Sequence, residues 1–250
     1  MTPEEIERYA RHIVLREIGG PGQQRLLNAK LLIVGAGGLG SPALIYLAAA
    51  GVGQLGIVDD DTVSLPNLQR QIIHETSAIG MGKTSSAKRA LLRVNPHINV
   101  IEHPTRLDEN NVDNLLADID LVLDGTDNFA TRYLLNAACV RAKKPLISAA
   151  MSQWEGQISL YDPTRGGPCY RCIFPEAPAE GLAPNCAQAG VMGALAGVMG
   201  AMMAGEAIKY ITGAGQGLRG SLFLYDSLFA ETRKLKTTRR TDCPVCGNHK

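Results

Sequence analysis

The chain has 250 residues, of which 45% are hydrophobic and 20% charged, and its formal net charge at pH 7 is +1. This length supports one large hydrophobic core or at most two small domains. A near-neutral charge gives no general attraction to nucleic acid or to a membrane surface, so we expect neither partner and look to local features for any charged ligand.

The first half of the chain alternates apolar runs with helical stretches, which is typical of a parallel sheet with crossover helices. Residues 4–28 are predicted as two short helices, broken at the glycine- and proline-rich stretch 19–22. Helices are also predicted at about 40–50 and at 83–94, 108–117 and 128–142. Buried strands are predicted in LLIVG, QLGIVDDD, INVIEH, IDLVLDGTD and PLISAA.

The second half has a different pattern, in which WEGQISLYDP, SLFLYD and ETRKLKTT are predicted as antiparallel strands. Residues 175–187 contain three prolines and are predicted as a mobile crossover loop. We therefore expect an α/β protein with a Rossmann-like mixed sheet, forming a single domain over residues 1–250. Its parts are N-terminal helices in 1–28, a parallel nucleotide-binding half in 29–150 and an antiparallel half in 151–250.

Residues 189–205 form an uncharged run of small residues, which raises the question whether they span a membrane. A spanning helix needs about 20 strongly apolar residues, whereas this run is shorter and consists mainly of glycine and alanine. It is predicted as a buried, closely packed helix, with membrane contact as the alternative. The same small residues would also suit a subunit interface.

A glycine-rich loop between the first strand and its helix is the first candidate binding feature. Gly35, Gly37 and Gly40 fit a GxGxxG pattern, whose backbone N–H groups at a helix start suit a phosphate. Asp59 follows at the end of the next strand, where a carboxylate suits ribose hydroxyls. The alternative is a tight turn with no ligand, and the motif does not discriminate ATP from NAD.

Residues after the second strand favour phosphate chemistry. Asn67, Gln69 and Arg70 follow the acidic strand end, and Arg70 can grip phosphates in a bidentate manner. Lys83 can reach a phosphate as a point charge. An ordinary surface arginine and lysine are the alternatives.

Asp127 lies at the carboxyl end of the fourth predicted strand, the edge where parallel sheets bind ligands. It is a candidate ligand of Mg²⁺, with a helix N-cap as the alternative or additional role. None of the five histidines pairs with a carboxylate in a pattern that indicates hydride transfer. We therefore favour ATP over NAD.

The cysteines indicate a metal site. Two CxxC pairs, Cys169/Cys172 and Cys243/Cys246, supply four thiolates for a structural Zn²⁺ that would join the C-terminal tail to the rest of the domain. The alternatives are two unlinked reduced thiol pairs or a redox CxxC. Because no export signal precedes the first helix, we expect a cytoplasmic protein.

The ordered blocks of the chain resemble the MoeB/ThiF family, bacterial relatives of ubiquitin-activating enzymes. The resemblance covers about residues 5–247 and rests on RYARHIVL, GAGGLGSP, DDDTVSLPNLQRQ, GKTSSAK, DGTDNFATR, CYRC, NCAQAGVMG and CPVCG. It implies an enzyme that uses Mg-ATP to adenylate the C-terminal Gly-Gly carboxylate of a small ubiquitin-like sulfur carrier, MoaD- or ThiS-like, with release of pyrophosphate. This would serve sulfur transfer in molybdopterin or thiamine biosynthesis.

The same resemblance implies roles for individual residues. Gly38 would lie against the nucleotide, Asp59 would bind ribose, and Asp127 would bind magnesium with Asn128 beside it. Asn67, Arg70 and Lys83 would contact phosphates, with Gln69 alongside. Arg11 would reach the ATP of the other subunit, which implies a homodimer.

Cys186 has two interpretations, because a cysteine at this place forms a covalent carrier adduct in ThiF-like relatives and is dispensable in MoeB-like ones. No rhodanese-like extension is seen, so we expect a separate sulfur donor. Three rival classes remain at this point: an NAD-dependent oxidoreductase, a zinc-ribbon nucleic-acid binder and a carrier-binding scaffold without activity. Near-neutral charge argues against the second, and the set of Arg70, Lys83 and Asp127 argues against the third.

Overall fold

A computed structural model describes residues 1–178 and 189–247 of the chain. Eight strands form one mixed sheet in the order β3-β2-β1-β4-β5-β6-β7-β8. The first five are parallel and the last three antiparallel, which confirms the predicted architecture. Their bounds are β1 Lys30–Val34, β2 Gln54–Val58, β3 Asn99–His103, β4 Leu121–Asp124, β5 Leu146–Ser152, β6 Glu155–Tyr161, β7 Ser221–Asp226 and β8 Glu231–Lys236.

Helices cover both faces of the parallel half. Alternate residues of β1 point to opposite faces, so Leu31 and Ile33 join one hydrophobic cluster and Leu32 and Val34 join another. This explains why the strand is apolar at all four positions after Lys30. The described helices are α1 Pro3–Arg8, α2 Ala10–Ile13, α3 Gly19–Asn28, α4 Gly40–Ala49, α5 Lys83–Val94, α6 Val112–Leu116, α7 Phe129–Arg141, α8 Tyr170–Ile173 and α9 Gly193–Thr212.

Two hairpins form the antiparallel part of the sheet, and the first of them includes β5, the last strand of the parallel half. A tight turn after Ser152 joins β5 to β6, and Gln153 adopts a positive φ of 51° there. A second turn joins β7 to β8, and Ala230 has a φ of 56°. β8 pairs with β7 along one side, and all six of its residues are exposed.

The N-terminal prediction of two helices broken at 19–22 is wrong in position. Helix α3 begins at Gly19, and the break lies earlier, between the end of α2 and Ile18. Gly19 takes a positive φ of 59°, which redirects the chain into the helix. Pro21 fits because the first helical turn has no intrahelical partner for its missing N–H.

Two other boundaries differ from the sequence prediction. Helix α6 is shorter than 108–117, because Asp108 Oδ1 accepts hydrogen bonds from the N–H groups of Asn110 and Asn111 and holds them in a turn. The small-residue helix α9 begins later and ends later than 189–205. Part of the predicted loop 175–187 lies outside the described residues.

Helix α9 is, among the described residues, the one helix whose length and composition would allow it to cross a membrane. Core helices of globular proteins pass the same test. Here α9 packs against α4, α3 and the strands β5 and β6. It also contains a buried carboxylate, Glu206, which accepts a hydrogen bond from Leu218 N at 2.8 Å and pairs with Lys209.

Close packing of α9 depends on Gly200. A Cβ atom there would lie 2.3 Å from Pro42 Cγ and 2.4 Å from the carbonyl oxygen of Leu39. We expect Gly200→Ala to lower the free energy of unfolding by roughly 1–3 kcal/mol through overpacking. Gly197→Ala is the matched control: a Cβ there meets nothing within 4 Å, so better helix propensity should raise stability by roughly 0.5–1 kcal/mol. Urea titration measures the free energy of unfolding of each variant, and gel filtration shows whether association has changed. Equal effects of the two substitutions would contradict the packing argument.

Candidate functional site

Two loops meet where the strand order reverses, at the carboxyl ends of β1 and β4. Gly35 follows β1 with a φ of 94°, and a Cβ there would lie 3.0 Å from the carbonyl oxygen of Gly125, which follows β4. A Cβ at Gly40 would lie 1.9 Å from the carbonyl oxygen of Gly35. Glycine is therefore required at both ends of the predicted loop, and this crevice is where open α/β sheets bind ligands.

A cavity of about 1320 Å³ opens above these loops. It brings together residues that lie far apart in the sequence, and six of the predicted site residues line it: Gly38, Asp59, Arg70, Lys83, Asp127 and Asn128. The N–H groups of Gly37 and Gly38 make no hydrogen bond within the described part of the chain. These two N–H groups are available to an anionic ligand.

Asp59 follows β2 directly and borders the glycine loop. Its Oδ2 accepts a hydrogen bond from Ala36 N at 2.8 Å, and its Oδ1 accepts one from Asp61 N at 2.9 Å. Burial raises the pKa of Asp59 above its ordinary value. The carboxylate is therefore fixed in orientation at the place where the sequence predicts a ribose ligand.

The two predicted cations, Lys83 and Arg70, are among the basic residues that line the cavity. Lys83 opens helix α5, and its buried Nζ is 2.8 Å from Oδ2 of the exposed Asp61. Arg70 donates from Nη1 to the carbonyl oxygen of Pro66 at 3.2 Å, and its Cγ lies 3.5 Å from the position of a Cβ on Gly38. Both side chains line the same cavity as the glycine loop, so both could contact one polyphosphate bound there.

Asp127 projects from the loop after β4 with both carboxylate oxygens available. It is exposed and makes no hydrogen bond or ion pair with any described residue. The helix N-cap is Asn128, whose Oδ1 accepts from Thr131 N at 2.9 Å, so the alternative role considered for Asp127 belongs to its neighbour. A free carboxylate in this cavity could hold a magnesium ion, since Mg²⁺ prefers carboxylate oxygen ligands.

Buried Asp124 at the end of β4 supports this loop and was not identified from the sequence. Its Oδ1 accepts hydrogen bonds from the N–H of Thr126 at 3.0 Å and from its hydroxyl at 2.6 Å, while Ser148 donates to Oδ2 at 2.7 Å. Arg132 of α7 donates to the carbonyl oxygen of Thr126 and to Ser148 Oγ. The network fixes the backbone immediately before Asp127.

Gln71 is a second residue that sequence reasoning missed. It lines the cavity with its side chain 4% exposed, and its amide nitrogen is 3.6 Å from the position of a Cβ on Gly37. Its Oε1 is buried with no hydrogen-bond partner among the described residues. Such an atom costs roughly 1–3 kcal/mol unless a ligand satisfies it. The sequence pattern around Arg70 does not show whether the next residue, Gln71, is buried or exposed.

Three other predicted site residues lie elsewhere. Asn67 ends a short 3-10 turn, Leu65–Asn67, and does not line the cavity. Gln69 donates to the carbonyl oxygen of Val191 at 3.2 Å, near the start of α9. Arg11 lines a separate cavity of about 380 Å³ between α2, α4 and α9. Cys186 lies outside the described residues.

The four CxxC cysteines converge, as predicted. Their sulfur atoms lie within 4.8 Å of one another, and three of the separations are 3.9 Å (Cys169–Cys172), 3.6 Å (Cys169–Cys243) and 3.4 Å (Cys172–Cys246). Thiolates bound to one zinc at about 2.3 Å in a tetrahedron lie about 3.8 Å apart. The donor set and spacing fit Zn²⁺, with no position left open for catalysis.

Comparison with known proteins gives a consistent result. A model of the ThiF family matches residues 9–245. The chain is 47% identical to the sulfur carrier protein adenylyltransferase of Thermus thermophilus, covering 99% of this chain and 93% of that protein. It is 45% identical to the SAMP-activating enzyme E1 of Haloferax volcanii, covering 97% and 89%. It is 48% identical to the adenylyltransferase and sulfurtransferase MOCS3 of Culex quinquefasciatus, where it spans 57% of the relative's length.

Solved structures show the same fold. The crystal structure of E. coli MccB with ATP superposes with a TM-score of 0.83 at 26% identity, covering 96% of this chain and 73% of that one. MccB in complex with N-formylated MccA gives a TM-score of 0.84 at 26% identity, covering 96% and 75%.

Proposed function

The chain belongs to the ThiF family, and from this premise we propose that it is an ATP-dependent adenylyltransferase acting on a sulfur-carrier protein. It joins AMP to the C-terminal Gly-Gly carboxylate of a small ubiquitin-like carrier and releases pyrophosphate. The supporting observation is that one cavity is lined by the glycine loop, by the cations Arg70 and Lys83 among other basic residues, and by the free carboxylate of Asp127.

These residues fit the chemistry of adenylation. A carrier carboxylate oxygen forms a bond to the α-phosphorus of ATP, and the bond from that phosphorus to the leaving pyrophosphate breaks. The attacking carboxylate is already ionised, so the reaction requires no general base. Arg70 and Lys83 lower the repulsion between two anions and stabilise charge on pyrophosphate. A magnesium ion bound by Asp127 would add Lewis-acid stabilisation of the phosphates.

The remaining site residues complete the proposal. Asp59 holds the ribose, the N–H groups of the glycine loop hold phosphate, and the cysteine tetrad holds a structural zinc. Arg11 lies in the second cavity, away from the chain's own glycine loop, which agrees with a homodimer in which it serves the partner's nucleotide. We further propose a cytoplasmic enzyme with a separate sulfur donor.

The pathway and the carrier are identified by a direct test. Purified enzyme with Mg-ATP is mixed in turn with MoaD-like and ThiS-like carriers, for molybdopterin and thiamine biosynthesis respectively, and with a carrier lacking its last two glycines. We expect one carrier to gain the mass of AMP and to drive ATP–pyrophosphate exchange. The truncated carrier should do neither. Adenylation of no Gly-Gly carrier would refute the proposed activity.

An NAD-dependent oxidoreductase is the alternative, and cofactor affinity discriminates the two. ATP with magnesium should bind in calorimetry with one site per chain, and NAD at least tenfold more weakly, because the cations of the cavity match a triphosphate. Tighter binding of NAD would favour the alternative.

Cys186 is the proposed position of a covalent carrier adduct in one form of the mechanism. The adduct should be trapped in the unaltered chain in the presence of ATP and a sulfur donor, and lost in Cys186→Ser. An adduct that persists in the variant would contradict this role, and full sulfur transfer without any adduct would favour the dispensable form.

A further inference from the structure

A buried histidine beneath the glycine loop has no role in the chemistry described so far. His74 is 7% exposed and lies between the segment that contains Arg70 and the helix that begins with Lys83. Its ring makes two hydrogen bonds: Nε2 is 3.0 Å from the carbonyl oxygen of Ala36, and Nδ1 is 2.9 Å from Ser86 Oγ.

The partners determine which ring nitrogen carries the proton. A carbonyl oxygen only accepts, so Nε2 donates its hydrogen to Ala36 O. Nδ1 then accepts the hydroxyl hydrogen of Ser86. Burial lowers the pKa of His74 below its ordinary value, which agrees with a neutral ring.

Ala36 is the second residue of the glycine loop, and both of its backbone polar groups make hydrogen bonds. Its N–H donates to Asp59 Oδ2 at 2.8 Å, and its carbonyl oxygen accepts from His74. The carbonyl of Ala36 and the N–H of Gly37 belong to one planar trans peptide, so they point in opposite directions. With the carbonyl directed at the buried ring, the N–H of Gly37 points toward the cavity that Gly37 lines.

We propose that His74 is a positioning residue that fixes the Ala36–Gly37 peptide and so orients the Gly37 N–H for a phosphate oxygen of ATP. It also links the loop to helix α5 through Ser86, one turn after Lys83. This inference rests on the proposed function only in taking ATP as the ligand of the cavity. Preorganised donors of this kind spare the ligand the cost of ordering the loop.

Three substitutions at His74 distinguish the contributions of the two ring nitrogens. His74→Gln places an amide N–H near the position of Nε2 and keeps the bond to Ala36. His74→Asn places its amide near Nδ1, keeps the Ser86 contact and does not reach Ala36. His74→Ala removes both. We expect Asn and Ala to raise the Kd for Mg-ATP about tenfold, the effect of one lost hydrogen bond, and Gln to stay within about threefold of the unaltered chain.

Calorimetric titration with Mg-ATP measures these affinities without any carrier. Hydrogen exchange of residues 35–38 gives a second readout that needs no ATP: the loop should exchange faster in the Asn variant than in the Gln variant. Zinc content and thermal unfolding confirm that each variant folds. If Gln and Asn are equally weakened, or if Asn binds ATP like the unaltered chain, His74 only packs and the proposal fails. If the unaltered chain binds no ATP while exchange still separates Asn from Gln, the proposed function fails and the role of His74 in fixing the loop remains supported.

Discussion

Arg70→Ala and Asp127→Ala will each reduce carrier-driven ATP–pyrophosphate exchange by roughly 10²–10³-fold or to background, because each removes one electrostatic contact with the reacting phosphates. Arg70 lies against Gly38 and Asp127 projects into the same cavity with a free carboxylate. The loss should appear in kcat as well as in KM, since charge on the leaving pyrophosphate develops during the reaction.

A matched pair of controls lies away from the cavity, at the C-terminal end of α7, whose first residues line the cavity. Arg141 and Asp113 form an exposed ion pair between α7 and α6, with Nη2 to Oδ1 at 2.6 Å, and neither lines the cavity. Arg141→Ala and Asp113→Ala change the net charge as the test variants do but should leave exchange within about twofold, since exposed ion pairs contribute roughly 0–1 kcal/mol. Near-normal exchange in Arg70→Ala or Asp127→Ala would remove that residue from the mechanism.

Loss of any tetrad cysteine should have the largest effect on stability. We expect Cys172→Ser and Cys243→Ser to fall clearly below one zinc per chain, and their Tm to fall by at least about 10 °C. Structural zinc contributes several kcal/mol to folding, and 1 kcal/mol corresponds to roughly 2–4 °C in a chain of this size. Metal analysis and thermal scans measure both quantities.

Cys139→Ala is the control for the zinc prediction. Cys139 is also a buried cysteine, but it packs in the hydrophobic cluster around α7, away from the other four. This variant should retain one zinc per chain. Its Tm should fall less than that of the tetrad variants, because only the packing of one sulfur atom is lost. Full zinc occupancy in both tetrad variants would show that the four sulfurs do not form the metal site.

Much of the fold is predictable because the inner parallel strands β1, β2 and β4 are buried on both faces and stand out as apolar runs. The antiparallel half is predictable from the change in pattern after Ala150. The sequence misplaces the break between the N-terminal helices because a glycine- and proline-rich stretch is typical of a helix end, whereas the positive φ of Gly19 starts α3. The end of α9 was missed because Glu206, a charged residue, is buried and paired within the fold.

Some residues of the candidate site can also be predicted from the sequence, and others cannot. Residues that bear charge and follow a strand end, such as Asp59 and Asp127, can be inferred from sequence because chemistry and position agree. Residues that hold the loops in place cannot, since Asp124, Arg132 and His74 act through backbone carbonyls and hydroxyls brought close only by folding. A pattern search finds groups that touch a ligand more readily than groups that orient its binding loop.

Strand β8 ends the sheet, and its outer edge pairs with no other described strand, which has a consequence for how the protein behaves at high concentration. An unpaired strand edge is a template on which a second copy can extend the sheet. Four of the six residues of β8 are charged: Glu231, Arg233, Lys234 and Lys236. With three positive charges and one negative, each edge carries a net positive charge, so two edges repel each other and self-association through this edge is suppressed in dilute salt. That protection weakens as ions screen the charges, which makes low ionic strength the safer condition for keeping the protein dispersed.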